Sequence, residues 1–201
     1  TPALTNAHVG IAMGSGSEIA KDASDIILLD DNFTSIVTAM REGRVIVANI
    51  RRMLFYALST NAGEALTMIG SLIIGVPLPL APVQILWINL VTDTSLIIPL
   101  GLESASGEIM SKKPNKPDTP ILSRTTIIRM IMVAALMSII SIIVYVFYSE
   151  KLGHAEAQTL TFTALATAQW GNALNARSNT VSLRHRTKTK NKSFALGMTI
   201  A

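Results

Sequence analysis

Cysteine is absent from the 201 residues, which excludes both a disulfide staple and a thiolate metal centre. Charge is scarce as well. Charged residues make up 15% of the chain against 49% hydrophobic, a balance too apolar for an ordinary soluble domain and suited to a membrane protein with soluble segments. Aromatic residues are only 5%, and the aromatic-plus-basic surface of a nucleic-acid-binding module is missing, so the net charge of +4 does not point to nucleic acid. The basic residues gather instead beside apolar segments, at Arg51-Arg52, at Lys112, Lys113 and Lys116, and from Arg184 through Lys192. Loops on the inner side of a membrane carry such clusters. The start, Thr1-Pro2-Ala3-Leu4, has no methionine, basic region or apolar run; no signal peptide is read there, and the chain reads as a piece of something longer.

What stands out against this background is a small polar set embedded in apolar sequence: Asn61 and Glu64 in one segment, Asn89, Thr92 and Asp93 in the next. A carboxylate at the centre of a bilayer costs about 2.5–3.5 kcal/mol on insertion scales, so it is rarely there without a partner or a task. Asn61 and Glu64 are spaced i and i+3, and the second group i, i+3 and i+4, so each set projects from one face of a helix. Gly75, Pro77, Pro79 and Pro82 make a tight helical hairpin between the segments, which lets the two faces converge. Two carboxylates, two amide carbonyls and a hydroxyl present oxygen, the donor of hard cations. Hydrogen bonding between helices is the alternative role, above all for Asn61 and Thr92.

Residues 1–45 read as soluble. Val9 to Met13 and Asp25 to Asp30 have the apolar character of buried strands, with a short polar helix from Ser17 to Ser24 between them, capped by Ser15 or Ser17. This strand–helix–strand unit is too short to bury a core of its own and is expected to be the last part of a larger α/β domain. Asp30 and Asp31 are candidate helix caps before Phe33. From Phe33 onward Ile36, Ala39, Met40, Val45, Ile46 and Ile50 follow the helical period with no breaker before Met53, which predicts one helix running from the soluble part into the membrane.

Residues 46–201 are expected to form the membrane region. Apolar stretches at about 53–74, 80–102, 127–148 and 159–176 each suffice for a hydrocarbon core of about 30 Å, and a further one starts near 194. Tyr145, Phe147 and Tyr148 read as an interfacial group closing the third span. Counting spans places the N-terminal part and all three basic clusters on the cytoplasmic side. No catalytic or nucleotide-binding residue is identified: Gly14-Ser15-Gly16 lacks the lysine-serine pair of a phosphate-binding loop, and His8, His154 and His185 are scattered.

The runs Val9 to Gly16, Ala20-Lys21, Ala23-Ser24 and Asp30-Asp31-Asn32-Phe33, then Asn61-Ala62-Gly63-Glu64, Pro82 through Asp93, and Asn172-Ala173-Leu174-Asn175, resemble P-type ATPases. The resemblance covers nearly the whole chain and is strongest over residues 1–104; it is to type II pumps of the calcium-pump kind and their bacterial relatives. It implies a mostly α membrane protein of four transmembrane helices and the start of a fifth, preceded by the C-terminal part of a haloacid-dehalogenase-like phosphorylation domain. It implies that Asn61, Glu64, Asn89, Thr92 and Asp93 are cation ligands, with Asp93 shared between two sites. Gln169 is a sixth candidate where two-site calcium pumps have glutamate, and Gln169-Trp170 is similar to the corresponding place in sodium/potassium pumps. Thr94 and Leu96 depart from the calcium-pump pattern. By the same resemblance the protein is a multi-pass pump of a bacterial plasma membrane, its partners being the bilayer, the remaining domains of the same pump and a cation, foremost Ca²⁺. Mg²⁺ and ATP would be bound by parts of the full protein outside this sequence, so the chain alone is expected to hydrolyse no ATP. Alternatives are a monovalent pump or, if the chain is complete, a membrane cation-binding module without enzymatic activity.

Overall fold

The computed structural model describes residues 1–104, 109–111, 113, 119–177 and 192–200. The readings at Lys112, Lys116, Arg184 to Asn191 and His185 lie outside the described residues. The chain divides into two compact units, residues 1–45 with 106–112, and residues 46–105 with 113–201.

In the first unit a short helix α1 (Pro2–Asn6), not predicted from the sequence, begins on a proline whose fixed φ suits the first helical position. Strands β1 (Ile11–Met13) and β2 (Ile26–Leu28) run parallel, Ile11 opposite Ile26 and Met13 opposite Leu28, with helix α2 (Glu18–Asp22) as the crossover. Ser17 caps α2, its Oγ accepting the Ala20 N–H. The strands are shorter than predicted. Asp25 uses its carboxylate to accept the Gly10 N–H at 2.8 Å, and past Met13 the chain turns through Gly14 and Gly16. Ala12 and Leu28 are buried, whereas Leu29 is 89% exposed and Ile26 and Ile27 are also exposed; parallel sheets are normally covered on both faces.

Helix α3 (Phe33–Ile74) is unbroken over 42 residues and runs on past Val45. Its cap corrects the sequence reading. Asn32, not Asp30 or Asp31, accepts the Thr34 N–H at 2.9 Å, because a capping side chain must stand directly before the first helical residue. Asp31 is spent elsewhere: it sits at φ 50, a left-handed conformation that aspartate tolerates, and accepts the Ser15 N–H at 3.0 Å. Asp30 accepts the Ser35 hydroxyl at 2.6 Å and the Asn32 N–H at 3.2 Å. The Ser35 hydroxyl on Asp30 and the Ser15 backbone N–H on Asp31 hold both carboxyls below the usual carboxylate range.

In the second unit α3 ends at Gly75, whose φ of 80 permits the left-handed stop. Helix α4 (Pro82–Trp87) opens on a proline, with the Gln84 side chain reaching back to the Ala81 N–H at 2.9 Å. A π-helical segment (Ile88–Thr92) follows, then α5 (Asp93–Gly101). The sequence period had treated this whole stretch as regular helix. In a π turn the N–H bonds five residues back; Asn89 within the segment is exposed, whereas Thr92 and Asp93 at its end are buried. Helix α6 (Arg124–Leu152) is capped by Ser123, turns at Gly153 with φ 96, and is followed by α7 (His154–Ala176) and α8 (Lys192–Ile200). The stretches Pro82–Gly101 and Arg124–Leu152 are long and apolar enough to cross a membrane. Tyr145 is 1% exposed and its hydroxyl meets His154 Nδ1 at 2.7 Å, a contact made across the α6–α7 turn.

Two apolar clusters knit these helices. One joins Phe55, Tyr56, Leu96, Leu100, Met130, Ala173, Ala176 and Phe194; the other joins Leu80, Ile88, Met137 and Leu165. Small residues let backbones approach. A Cβ on Gly63 would stand 3.4 Å from that of Met137, so α3 and α6 meet there. The buried hydroxyls of Ser59, Thr60 and Thr67 donate to carbonyls of their own helix, α3, which hides them from apolar surroundings.

Candidate cation site

Four elements supply the site. Tyr56, Ser59 and Glu64 are buried on α3, the π segment brings Asn89 and Thr92, α5 begins on Asp93, and Gln169 and Asn172 stand one turn apart on α7. Glu64, 6% exposed, is held from two sides: Oε2 accepts Asn89 Nδ2 at 3.0 Å and Oε1 accepts Gln169 Nε2 at 2.9 Å. Asp93, 4% exposed, accepts the Tyr56 hydroxyl at 3.0 Å. Asn172 donates to Ser59 Oγ at 2.8 Å.

Neither carboxylate has a basic partner among the described residues, whose ion pairs are Lys21 with Glu18 and Arg177 with Glu103. At the same time Thr92 Oγ1, Gln169 Oε1 and Asn172 Oδ1 are buried with no hydrogen-bond partner. Each unfed buried acceptor costs about 1–3 kcal/mol, and a buried unpaired charge costs more. The deficit of this site is therefore positive charge presented to oxygen. A metal cation supplies that. Among the described residues no group of three His, Asp or Glu side chains is placed to hold a metal ion, so a bound ion would draw on amide and hydroxyl oxygens beside the two acids. That donor set fits a hard ion and not zinc.

The structure brings together Glu64, Asn89 and Gln169 by direct hydrogen bonds and buries Thr92 and Asp93. Asn61 stays apart. It is exposed, and its Nδ2 donates to Ala57 O at 2.8 Å on its own helix. Asn172, named from the sequence only as part of the run Asn172-Ala173-Leu174-Asn175, belongs in the group because of its unpartnered Oδ1. Its spacing of three from Gln169 is the signal that put both on one face. His154 is engaged by Tyr145 and takes no part.

Fold and site together define a mostly helical membrane protein whose helices enclose a net-negative, oxygen-lined centre. Residues 77–201 match the family described as "Cation transporting ATPase, C-terminus". The chain is 37% identical over 182 residues to a calcium-transporting ATPase of Bacillus subtilis (strain 168), an overlap of 89% of this chain and 20% of the relative. It is 36% identical over 198 residues to calcium-transporting ATPase 1 of Lactococcus lactis, 98% of this chain and 22% of the relative. With the endoplasmic reticulum-type calcium-transporting ATPase 2 of Arabidopsis thaliana it shares 35% over 193 residues, 90% of this chain and 18% of the relative. The chain belongs to the cation-transporting P-type ATPases, to whose C-terminal region it corresponds, and it spans about a fifth of the length of the curated relatives it matches.

Proposed function

We propose that this chain is the ion-carrying membrane region of an ATP-driven pump that moves Ca²⁺. The observation that carries the reading is the pairing of two buried carboxylates that lack a basic partner, Glu64 and Asp93, with the unpartnered oxygens of Thr92 and Gln169. The names of the relatives favour Ca²⁺ as cargo. Glu64, Asp93, Asn89, Thr92 and Gln169 hold the ion, Asn172 adds its amide oxygen, and Asn61 joins by turning its side chain away from Ala57. The two carboxylates neutralise one divalent ion, which in a low-dielectric region favours a single Ca²⁺ over a pair.

In this reading residues 1–45 are the end of a haloacid-dehalogenase-like phosphorylation domain. Residues 46–201 cross a bacterial plasma membrane four times, with a further span begun by α8 and with the N-terminal part and the basic loops in the cytoplasm. MgATP is handled by domains outside these residues. Phosphorylation there shifts α3 and changes affinity and access at Glu64, a two-state mechanism of alternating access. A monovalent cargo is the second reading, favoured by the neutral Gln169 beside Glu64. The full-length pump, assayed for phosphorylation by radiolabelled ATP in Ca²⁺ or Na⁺, separates them. Ca²⁺-dependent phosphoenzyme supports the proposal; Na⁺-dependent phosphoenzyme without Ca²⁺ dependence transfers it to the monovalent reading, and dependence on neither ion removes both.

A further inference from the structure

We propose that Glu103, Arg177 and Asn49 form a latch that sets the register of the three ligand-bearing helices and thereby positions the cation site; this rests on the cation-site reading above. Glu103, just past α5, is 4% exposed, and the Arg177 guanidinium grips it through one edge with two hydrogen bonds, Nε to Oε2 at 3.2 Å and a terminal nitrogen to Oε1 at 2.8 Å. Asn49 of α3, itself 6% exposed, donates to Gly101 O at 2.8 Å and to Glu103 O at 3.0 Å, filling carbonyls that the end of α5 leaves open. The Asn49 oxygen is in turn held by Arg52. Arg177 also lies over the Phe194 ring of α8, 4.5 Å from its centroid, and Phe194 is 2% exposed.

The placement of these residues is what gives them a consequence for the ion. Asn49 shares α3 with Glu64, Glu103 follows the helix that begins on Asp93, and Arg177 ends the helix that carries Gln169. Between Asn49 and Glu64 the rise is roughly 22 Å, and between Gln169 and Arg177 it is roughly 12 Å, at about 1.5 Å per residue. A rigid helix transmits a shift at one point to the other. Sliding or turning α3, α5 or α7 against its neighbours must break the two hydrogen bonds of that grip or pull Asn49 off the α5 carbonyls. An Arg–carboxylate fork accepts one geometry, and lysine does not reproduce it. The latch therefore favours the arrangement in which Asn89 and Gln169 both reach Glu64.

The test uses the full-length pump, with Ca²⁺-dependent phosphorylation and equilibrium binding of radiolabelled Ca²⁺ as readouts. Arg177→Lys and Glu103→Gln are each expected to raise the Ca²⁺ concentration for half-maximal phosphorylation about tenfold, within the usual span of coupling between sites, at unchanged maximal phosphoenzyme level. The double exchange Glu103→Arg with Arg177→Glu is expected to recover part of that loss, which general loosening of the fold would not produce. Wild-type Ca²⁺ affinity in both single variants overturns the latch, as does loss of thermal stability with no change in affinity. The underlying site reading is checked separately by Glu64→Gln, which leaves the latch intact: wild-type Ca²⁺ binding in that variant overturns the site, and the latch proposal with it.

Discussion

Gln169 donates its amide N–H to Glu64 Oε1 at 2.9 Å, a contact between residues 105 positions apart that closes α7 onto α3. In giving the carboxylate its nitrogen, the amide leaves its own oxygen buried and without a partner. A neutral side chain thus steadies the acid and keeps a further oxygen in the buried interior, without adding charge.

The acids themselves come first. Glu64→Gln or Asp93→Asn in the full-length pump removes charge with little change of volume, so folding and expression are expected to persist while Ca²⁺-dependent phosphorylation is lost. Phosphoenzyme formed from radiolabelled ATP measures this. Wild-type Ca²⁺ dependence in both variants would return these residues to a packing role.

Stoichiometry follows from the neutrality of Gln169. One Ca²⁺ per phosphorylation site is expected by equilibrium binding with radiolabelled ion, because the acids that these residues contribute to the pump, Glu64 and Asp93, balance one divalent cation. Gln169→Glu sets a third carboxylate beside Glu64; their repulsion is relieved by a divalent ion, so Ca²⁺ affinity is expected to rise. Two cooperatively bound ions in the unmodified pump would refute the single-site count.

Two glycines provide a contrast in packing. A Cβ on Gly197 would meet Ser95 O at 2.2 Å, a backbone atom that cannot step aside, whereas on Gly63 the nearest atom is 3.4 Å away. Gly197→Ala is expected to loosen α8 from α5 and lower stability by about 1–3 kcal/mol, the range for overpacking, and Gly63→Ala to be close to neutral. Thermal inactivation of the detergent-solubilised protein ranks them; equal midpoints would contradict this packing.

At the start of α3 the expectation is one of pH. Asp30 and Asp31 have lowered pKa values because their charged forms accept hydrogen bonds from the Ser35 hydroxyl and the Ser15 N–H. A folded-state pKa below the unfolded value contributes stability that is present above the ordinary 3.8 and is lost as pH falls through the folded value. Carboxyl carbon resonances of the two residues, followed by NMR, are expected to titrate below that of a model aspartate. Asn32→Ala, which removes the cap itself, is expected to cost the helix start about 1 kcal/mol at any pH. It is read as faster amide exchange at Thr34 and Ser35, and unchanged exchange there would contradict the cap.

Several elements were open to reading before any coordinates. The 3.6 period from Phe33, with no proline before Ile74, is a local signal, and α3 is one helix for that reason. The same holds for the crossover between two short apolar strands and for the serine that caps α2. The cap of α3 lies one or two positions beyond the residues the sequence suggested, since Asp30, Asp31 and Asn32 have nearly equal capping power, and only the folded chain engages Asp31 with the distant Ser15 N–H and Asp30 with the Ser35 hydroxyl and the Asn32 N–H.

What the sequence by itself determined is where carboxylates and amides lie within apolar helices, because helical period and the cost of a charge in hydrocarbon depend on neighbours a turn or two away. It also carried the family, through runs of residues that need no contact map. Which of those side chains face one another was decided by the tertiary structure alone. Thr92 and Asp93 at the end of the π segment are buried while Asn89 within it stays at the margin, α7 delivers Gln169 and Asn172 from more than a hundred residues away, and Asn61 turns back to its own helix. These outcomes hang on the rotation of whole helices against each other, which is set by the packing of small residues between helices and leaves no periodic mark in the chain.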